Sequence, residues 1–112
     1  MKSERRIDRR NRSFARILIS VEGRFGYIAD VSEGGFKGLF PEPFELEIGS
    51  ILPISVSFEE MGLGFFGLKA SVRWLRLVGG ALEVGFELYR ADDAALSSFE
   101  RIRDYYSRSA LS

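Results

Sequence analysis

The sequence predicts an all-β (mainly β) domain: a six-stranded antiparallel barrel with a C-terminal α-helix and a flexible Arg-rich N-terminal arm. Three observations lead there. Between residues 17 and 88, short β-branched and aromatic runs alternate with glycine-centred breaks, the pattern of antiparallel strands joined by tight turns. From Asp92 onward the apolar spacing lengthens from two to three or four residues, the period of a helix face. Ahead of the first strand, residues 1–16 gather seven basic side chains against Glu4 and Asp8.

Each element follows from its residues. Ile17–Val21 is β-branched and apolar, and Glu22-Gly23 marks a turn into a second run, Arg24–Val31. Gly34-Gly35 breaks the chain before Phe36–Phe40. Pro41 and Pro43 then exclude a central strand, which makes 41–50 a loop. Ile51–Phe58 places Ile54, Val56 and Phe58 on one face and Ser55 and Ser57 on the other. Phe65–Leu77 sets Phe66, Leu68, Ala70, Val72 and Trp74 against Gly67, Lys69, Ser71, Arg73 and Leu75, and Val78-Gly79-Gly80 turns it back into Ala81–Leu88. Closure into a barrel disposes of exposed strand edges most completely. Asp92 is a candidate N-cap for a helix over 92–108, with Leu96, Phe99, Ile102 and Tyr106 as its apolar stripe. The stripe requires a barrel mouth or flank to cover. The chain divides into an arm, 1–11, and a single domain, 12–112; at 112 residues a second domain has no room.

Composition narrows the function. With no Cys and no His, the chain has no thiolate metal site, no cysteine nucleophile and no imidazole base. Binding through Arg side chains and backbone amides is the expected occupation rather than catalysis, with no cofactor or metal. Carboxylates such as Glu59 and Glu60 read as a solvated loop. The net charge of zero is a sum over unlike parts: residues 1–16 carry +5 and residues 17–112 carry −5. A basic arm on an acidic body is an anion-binding arrangement, and the acidic remainder weighs against general nucleic-acid binding. No run of about 18 apolar residues and no signal-peptide pattern occurs, so no membrane insertion is expected and the chain reads as cytoplasmic.

Three short motifs compete for attention. Gly62, Gly64 and Gly67 spell G-x-G-x-x-G, but a strand pattern follows where a dinucleotide fingerprint needs a helix, so a hairpin loop is the better account. Asp30-Val31-Ser32-Glu33-Gly34-Gly35 ends a strand. Its residues suit a turn that caps its own backbone, or alternatively a carboxylate and hydroxyl that hold a guanine edge, with glycine amides nearby. Arg12 and Arg16 lie four residues apart around Phe14, so an extended segment puts two guanidinium forks and one ring on one face. That set suits a phosphodiester carrying purines.

Taken in this order, Arg12-x-x-x-Arg16 with Phe14 between, and Asp30-x-Ser32-x-x-Gly35, resemble the R-x-x-x-R and D-x-S-x-x-G motifs of the PilZ domain family. The resemblance continues through Val72-Arg73-Trp74, Val84-Gly85-Phe86 and the closing helix, from about residue 9 to 106. It implies a bacterial, cytoplasmic receptor for the second messenger cyclic di-GMP, bound on the outer surface of a six-stranded barrel. Arg12, Arg16, Asp30, Ser32 and Gly35 would be the ligand-binding residues, with Arg9, Arg10, Asn11 and Gly34 as additional contacts. Asn11 stands where many members have another Arg. The implied mechanism is non-enzymatic: the ligand orders the arm and changes a surface read by a downstream protein partner. The alternative is a PilZ-like adaptor that works through protein contacts without nucleotide.

Overall fold

The computed structural model of the chain describes residues 17–58 and 62–111, the side chains of Leu63 and of residues 106–111 excepted. Glu59, Glu60 and the Tyr106 side chain therefore lie outside the described part. Six antiparallel strands, β1 (Leu18–Val21), β2 (Arg24–Val31), β3 (Gly35–Phe40), β4 (Ile51–Phe58), β5 (Leu63–Val78) and β6 (Ala81–Arg90), precede one helix, α1 (Asp93–Leu111). They close into a barrel in the order β1-β2-β3-β6-β5-β4. Closure leaves β1 paired on one side with β2, Leu18 opposite Tyr27, and on the other with β4, Leu18 opposite Ser57.

Alternation fills the interior. Ile19, Val21, Ile28, Phe40, Ile54, Val56, Leu68, Val72, Val84 and Phe86 point inward and are buried, each strand giving every second side chain to the core. Phe36, Phe40 and Phe86 form a tilted and edge-on aromatic run through it, with ring centroids 5.0 and 6.5 Å apart. Gly38 sits among them because a Cβ there would meet Ile19 Cδ1 at 2.8 Å.

The alternation expected through β5 holds as far as Val72 and then changes. The ladder with β6 slips between Val72 and Trp74, Val72 pairing with Phe86 and Trp74 with the next residue back, Gly85. The extra residue, Arg73, forms a β-bulge and reverses the faces beyond it. Leu75 therefore packs against the core, and Trp74 lies on the outer surface at 39% exposure.

The helix closes one end of the barrel. Asp92 caps it, accepting a bond from the Ala95 amide at 2.8 Å. Its buried face is Ala95, Phe99 and Ile102, with Tyr105 partly buried, while Leu96 is exposed. The expected stripe is thus rotated by one residue at its first position; Leu96 and Ala95 are adjacent, and the smaller one fits against the barrel rim. Phe99 reaches Phe36 at 6.0 Å and Tyr105 meets Phe58 edge-on at 5.0 Å. Phe36 and Phe58 lie at the barrel end where β3 begins and β4 finishes, so α1 seals the mouth beside the 32–34 turn.

Candidate functional site

The D-x-S-x-x-G segment forms the end of β2, the turn at 32–34 and the start of β3. The turn is closed by its own groups. The Val31 amide donates to Asp30 Oδ1 at 2.9 Å, and the Ser32 amide and hydroxyl both donate to the Gly35 carbonyl, at 2.9 and 3.3 Å. Two neighbours fix the turn from outside: the Leu88 amide donates to the Gly34 carbonyl at 2.8 Å, and Arg103 Nη1 of α1 donates to the Glu33 carbonyl at 3.4 Å. Asp30 and Ser32 are exposed beside this braced backbone. Gly35 has a separate structural reason: a Cβ there would collide with the Phe86 carbonyl oxygen, and Glu87 Cα would be 3.1 Å away. No side chain fits between β3 and β6 at that point. At Gly34 a Cβ would meet nothing within 4 Å.

The register carries the site across four strands. Asp30 pairs with Lys37, Lys37 with Gly85, and Gly85 with Trp74. One outward row therefore reads carboxylate, ammonium, glycine, indole. The bulge at Arg73 and the glycine at 85 together create the flat end of this row. A Cβ at Gly85 would stand 2.7 Å from Trp74 Cδ1 and closer still to Nε1 and Cε2, so the indole lies directly over the β6 backbone. Arg76 flanks the ring, its guanidinium carbon 5.7 Å from the centroid. Glu83 anchors the cations on this side: it accepts from Arg76 Nε at 3.0 Å and pairs with Lys37 Nζ at 3.6 Å, with only 10% of its own side chain exposed. Arg73 pairs with Glu87 at 2.9 Å. Asp30, Ser32, Lys37, Arg73, Trp74 and Gly85 line a shallow outer pocket of about 220 Å³.

Of the residues singled out from the sequence, the structure brings Asp30, Ser32, Gly34 and Gly35 to this corner. Arg9, Arg10, Asn11, Arg12 and Arg16 lie outside the described residues. Covalent connectivity still bounds two of them. The Ile28 amide donates to the Ile17 carbonyl at 2.9 Å, so the chain enters β1 two positions from Asp30 on the neighbouring strand. Arg16 is bonded to Ile17, and Arg12 is within five residues of it, a span of at most about 18 Å. The G-x-G-x-x-G triplet proves to be a turn residue, Gly62, with φ of 72°, followed by β5 itself. No helix follows it.

Lys37, Arg73 and Trp74 were not among the candidates. Lys37 could be found only through the β2-β3 register, which a bulge at Ala29 shifts. Trp74 had one sequence signal: apolar residues at both 74 and 75 break the alternation, and opposite Gly85 that break places the larger one outside.

The described architecture is that of a small antiparallel barrel that gathers polar and aromatic side chains on its outer wall, while the described core residues fill its axis. The family model of the PilZ domain matches residues 2–106, nearly the whole chain, and the protein belongs to that family. PilZ domains are in general cyclic di-GMP-binding or adaptor domains. No curated protein and no solved structure gives a significant match. Among the described residues, no helix is long and apolar enough to cross a membrane.

Proposed function

We propose that this protein binds cyclic di-GMP on the outer wall of the barrel, at the row running from Asp30 to Trp74, and passes the signal to a protein partner. The observation that carries the reading is the bond from the Ile28 amide to the Ile17 carbonyl. It holds Ile17, to which Arg16 is bonded, against the strand whose final residues include Asp30, which supports the reading that both motifs serve one surface.

The chemistry divides by residue. Arg12 and Arg16 contact phosphate oxygens and a guanine edge as planar bidentate donors. Asp30 keeps Oδ2 free of the turn and accepts from a guanine N1–H and its exocyclic amine. Ser32 and the backbone at Gly34 and Gly35 complete that edge. The Trp74 indole offers a π-face to a purine, and Lys37 lies between base and phosphate within reach of either. A pocket of about 220 Å³ is too small to enclose a dinucleotide, so the ligand lies across the wall with the arm as its second side. Drawing the arm onto the wall neutralises its cationic charge and creates a nucleotide-covered face. The role proposed for this set is that of a receptor, consistent with PilZ domains being binding and adaptor domains.

Isothermal titration with cyclic di-GMP tests this. Wild type is expected to show saturable heat at micromolar ligand. Arg16→Ala loses charge-assisted bonds of ~1.5–3 kcal/mol, about 10- to 150-fold in affinity, with an unchanged circular dichroism spectrum. Absence of saturable binding by the wild type overturns the reading and leaves the adaptor role.

A further inference from the structure

We infer that the opposite end of the barrel, remote from the 32–34 turn and from α1, is a docking surface for a basic amphipathic segment of a partner protein. This concerns a different surface from the nucleotide row and does not depend on nucleotide binding. Three independent features of that end support it.

The first is a groove with an apolar floor and an acidic rim. Phe44, Leu46, Leu52 and Leu75 form the floor of an open groove of about 620 Å³, and Glu22, Glu45 and Glu47 stand on its rim. None of these three carboxylates is ion-paired among the described residues. Loop 41–50 holds its shape without them: the Gly49 amide donates to the Val72 carbonyl at 2.6 Å, the Val72 amide to Ser50 at 2.9 Å, and Phe44 stacks edge-on to Phe40 at 5.0 Å. Among the described residues, the acids carry charge that no cation of the wall neutralises.

The second is exposed apolar surface around the same end. Ile48 and Leu77 are 66% and 68% exposed, and Ile51 and Val78 are close to half exposed. They come from the loop, from the start of β4 and from the β5-β6 hairpin, all of which the register places at the end away from the helix. Apolar residues brought to one end from separate segments, with carboxylates at the same end that have no ion pair among the described residues, mark a protein interaction surface.

The third is backbone strain at the rim. Glu22 occupies the left-handed region at φ of 51°, ahead of Gly23 at 77°. A two-residue hairpin turn needs that conformation, which Asn, Asp and Gly adopt far more readily. Glu is not a residue this turn conformation favours, and Glu22 lines the groove. Charge chooses the occupant: acids border the apolar floor, and the Phe44 ring of that floor already takes a guanidinium, that of Arg24, 5.3 Å from its centroid. A helix with Leu on one face and Lys or Arg on the other matches both floor and rim.

Fluorescein-labelled 18-residue peptides titrated by anisotropy against the full chain provide the test. One carries opposed faces of Leu and Lys, a second replaces Lys by Glu, and a third replaces Leu by Ser. The Leu/Lys peptide is expected to saturate, the Leu/Ser exchange to weaken binding at least tenfold, and the Glu peptide not to bind. Glu45→Lys/Glu47→Lys should weaken the Leu/Lys peptide at least tenfold, while Glu100→Lys/Asp104→Lys on α1 changes it less than twofold. Glu22→Asn should raise Tm by a few degrees and still weaken the peptide severalfold, a pairing that a purely structural role does not produce. Binding indifferent to Glu45→Lys/Glu47→Lys, or absent altogether, overturns the inference. So does concentration-dependent self-association in sedimentation velocity that the same variant abolishes, which would assign the surface to a second copy of this chain.

Discussion

Replacing Gly85 by Ala tests the construction of the outer wall at its tightest point. The new methyl would lie 2.7 Å from Trp74 Cδ1 and nearer to two further ring atoms, below any real contact distance. The β6 backbone is held by partners on both sides, β3 and β5, so the indole must leave. Trp74 is 39% exposed; if about half of the roughly 150 Å² that it buries returns to water, the loss is about 2 kcal/mol at ~25 cal/mol/Å². The weak stacking with Arg76 adds ~0.5 kcal/mol, and the entropy gained by removing a glycine returns ~0.4–1 kcal/mol. The net expectation is a destabilisation of about 1.5–2 kcal/mol. Because Trp74 is the only tryptophan of the chain, intrinsic fluorescence reports this ring alone. Its emission should shift to the red in Gly85→Ala, the urea midpoint should fall, and the slope should stay constant. In the background Trp74→Ala, the same glycine substitution should cost nothing, which isolates the contact as the cause. Gly67→Ala on β5, where the nearest atom is 4.0 Å away, is the matched control and should be neutral or slightly stabilising. An unchanged emission maximum together with an unchanged midpoint in Gly85→Ala would refute the stacked arrangement.

The two glycines of the 32–34 turn and its exit should separate in the same assay. Gly35→Ala forces β3 from β6 against a backbone carbonyl and is expected to cost about 3 kcal/mol, at the upper end of overpacking effects, whereas Gly34→Ala should stay within about 0.5 kcal/mol. Asp92→Ala removes the cap on the Ala95 amide and should lower stability by about 1 kcal/mol in thermal or urea unfolding, with a small loss of ellipticity at 222 nm.

The barrel was legible in the sequence because antiparallel strands with one buried face write their register as alternation, and because glycine-containing turns, Glu22-Gly23 and Gly79-Gly80, fall between them. The strands differ from expectation by a few residues at their ends. What alternation cannot express is an inserted residue. The bulge at Arg73 changes which of Trp74 and Leu75 faces outward, and both are apolar, so either assignment satisfies the core. The helix shows the same ambiguity: Ala95 and Leu96 are both apolar, and only the space at the barrel mouth selects the smaller. The site was half legible for a related reason. Asp30, Ser32 and Gly35 are close in sequence and form a motif, whereas Lys37 and Trp74 join them only through pairings across β3, β6 and β5.

Charge gives two surfaces of the barrel different roles. Along the outer wall, Lys37 and Arg76 share Glu83, Arg73 pairs with Glu87, and the +5 segment of residues 1–16 joins the barrel near Asp30. At the end away from the helix, Glu22, Glu45 and Glu47 surround apolar surface without ion pairs among the described residues. Asp30 and the β1-β2 turn lie at opposite ends of β2, about 20 Å apart by strand rise. That separation exceeds a Debye length of ~8 Å at physiological salt, so the charges of Asp30 and Glu22 act on their surroundings nearly independently. The two surfaces come closest along the shared wall. β5 is the element that reaches both, carrying Trp74 on the outer row and Leu75 in the floor of the groove as consecutive residues just past one bulge. A ligand that presses on the indole acts one residue from the groove floor. Titrating the Leu/Lys peptide with and without saturating cyclic di-GMP measures this coupling, and Trp74→Ala should abolish whatever difference the nucleotide makes while leaving peptide affinity in its absence unchanged.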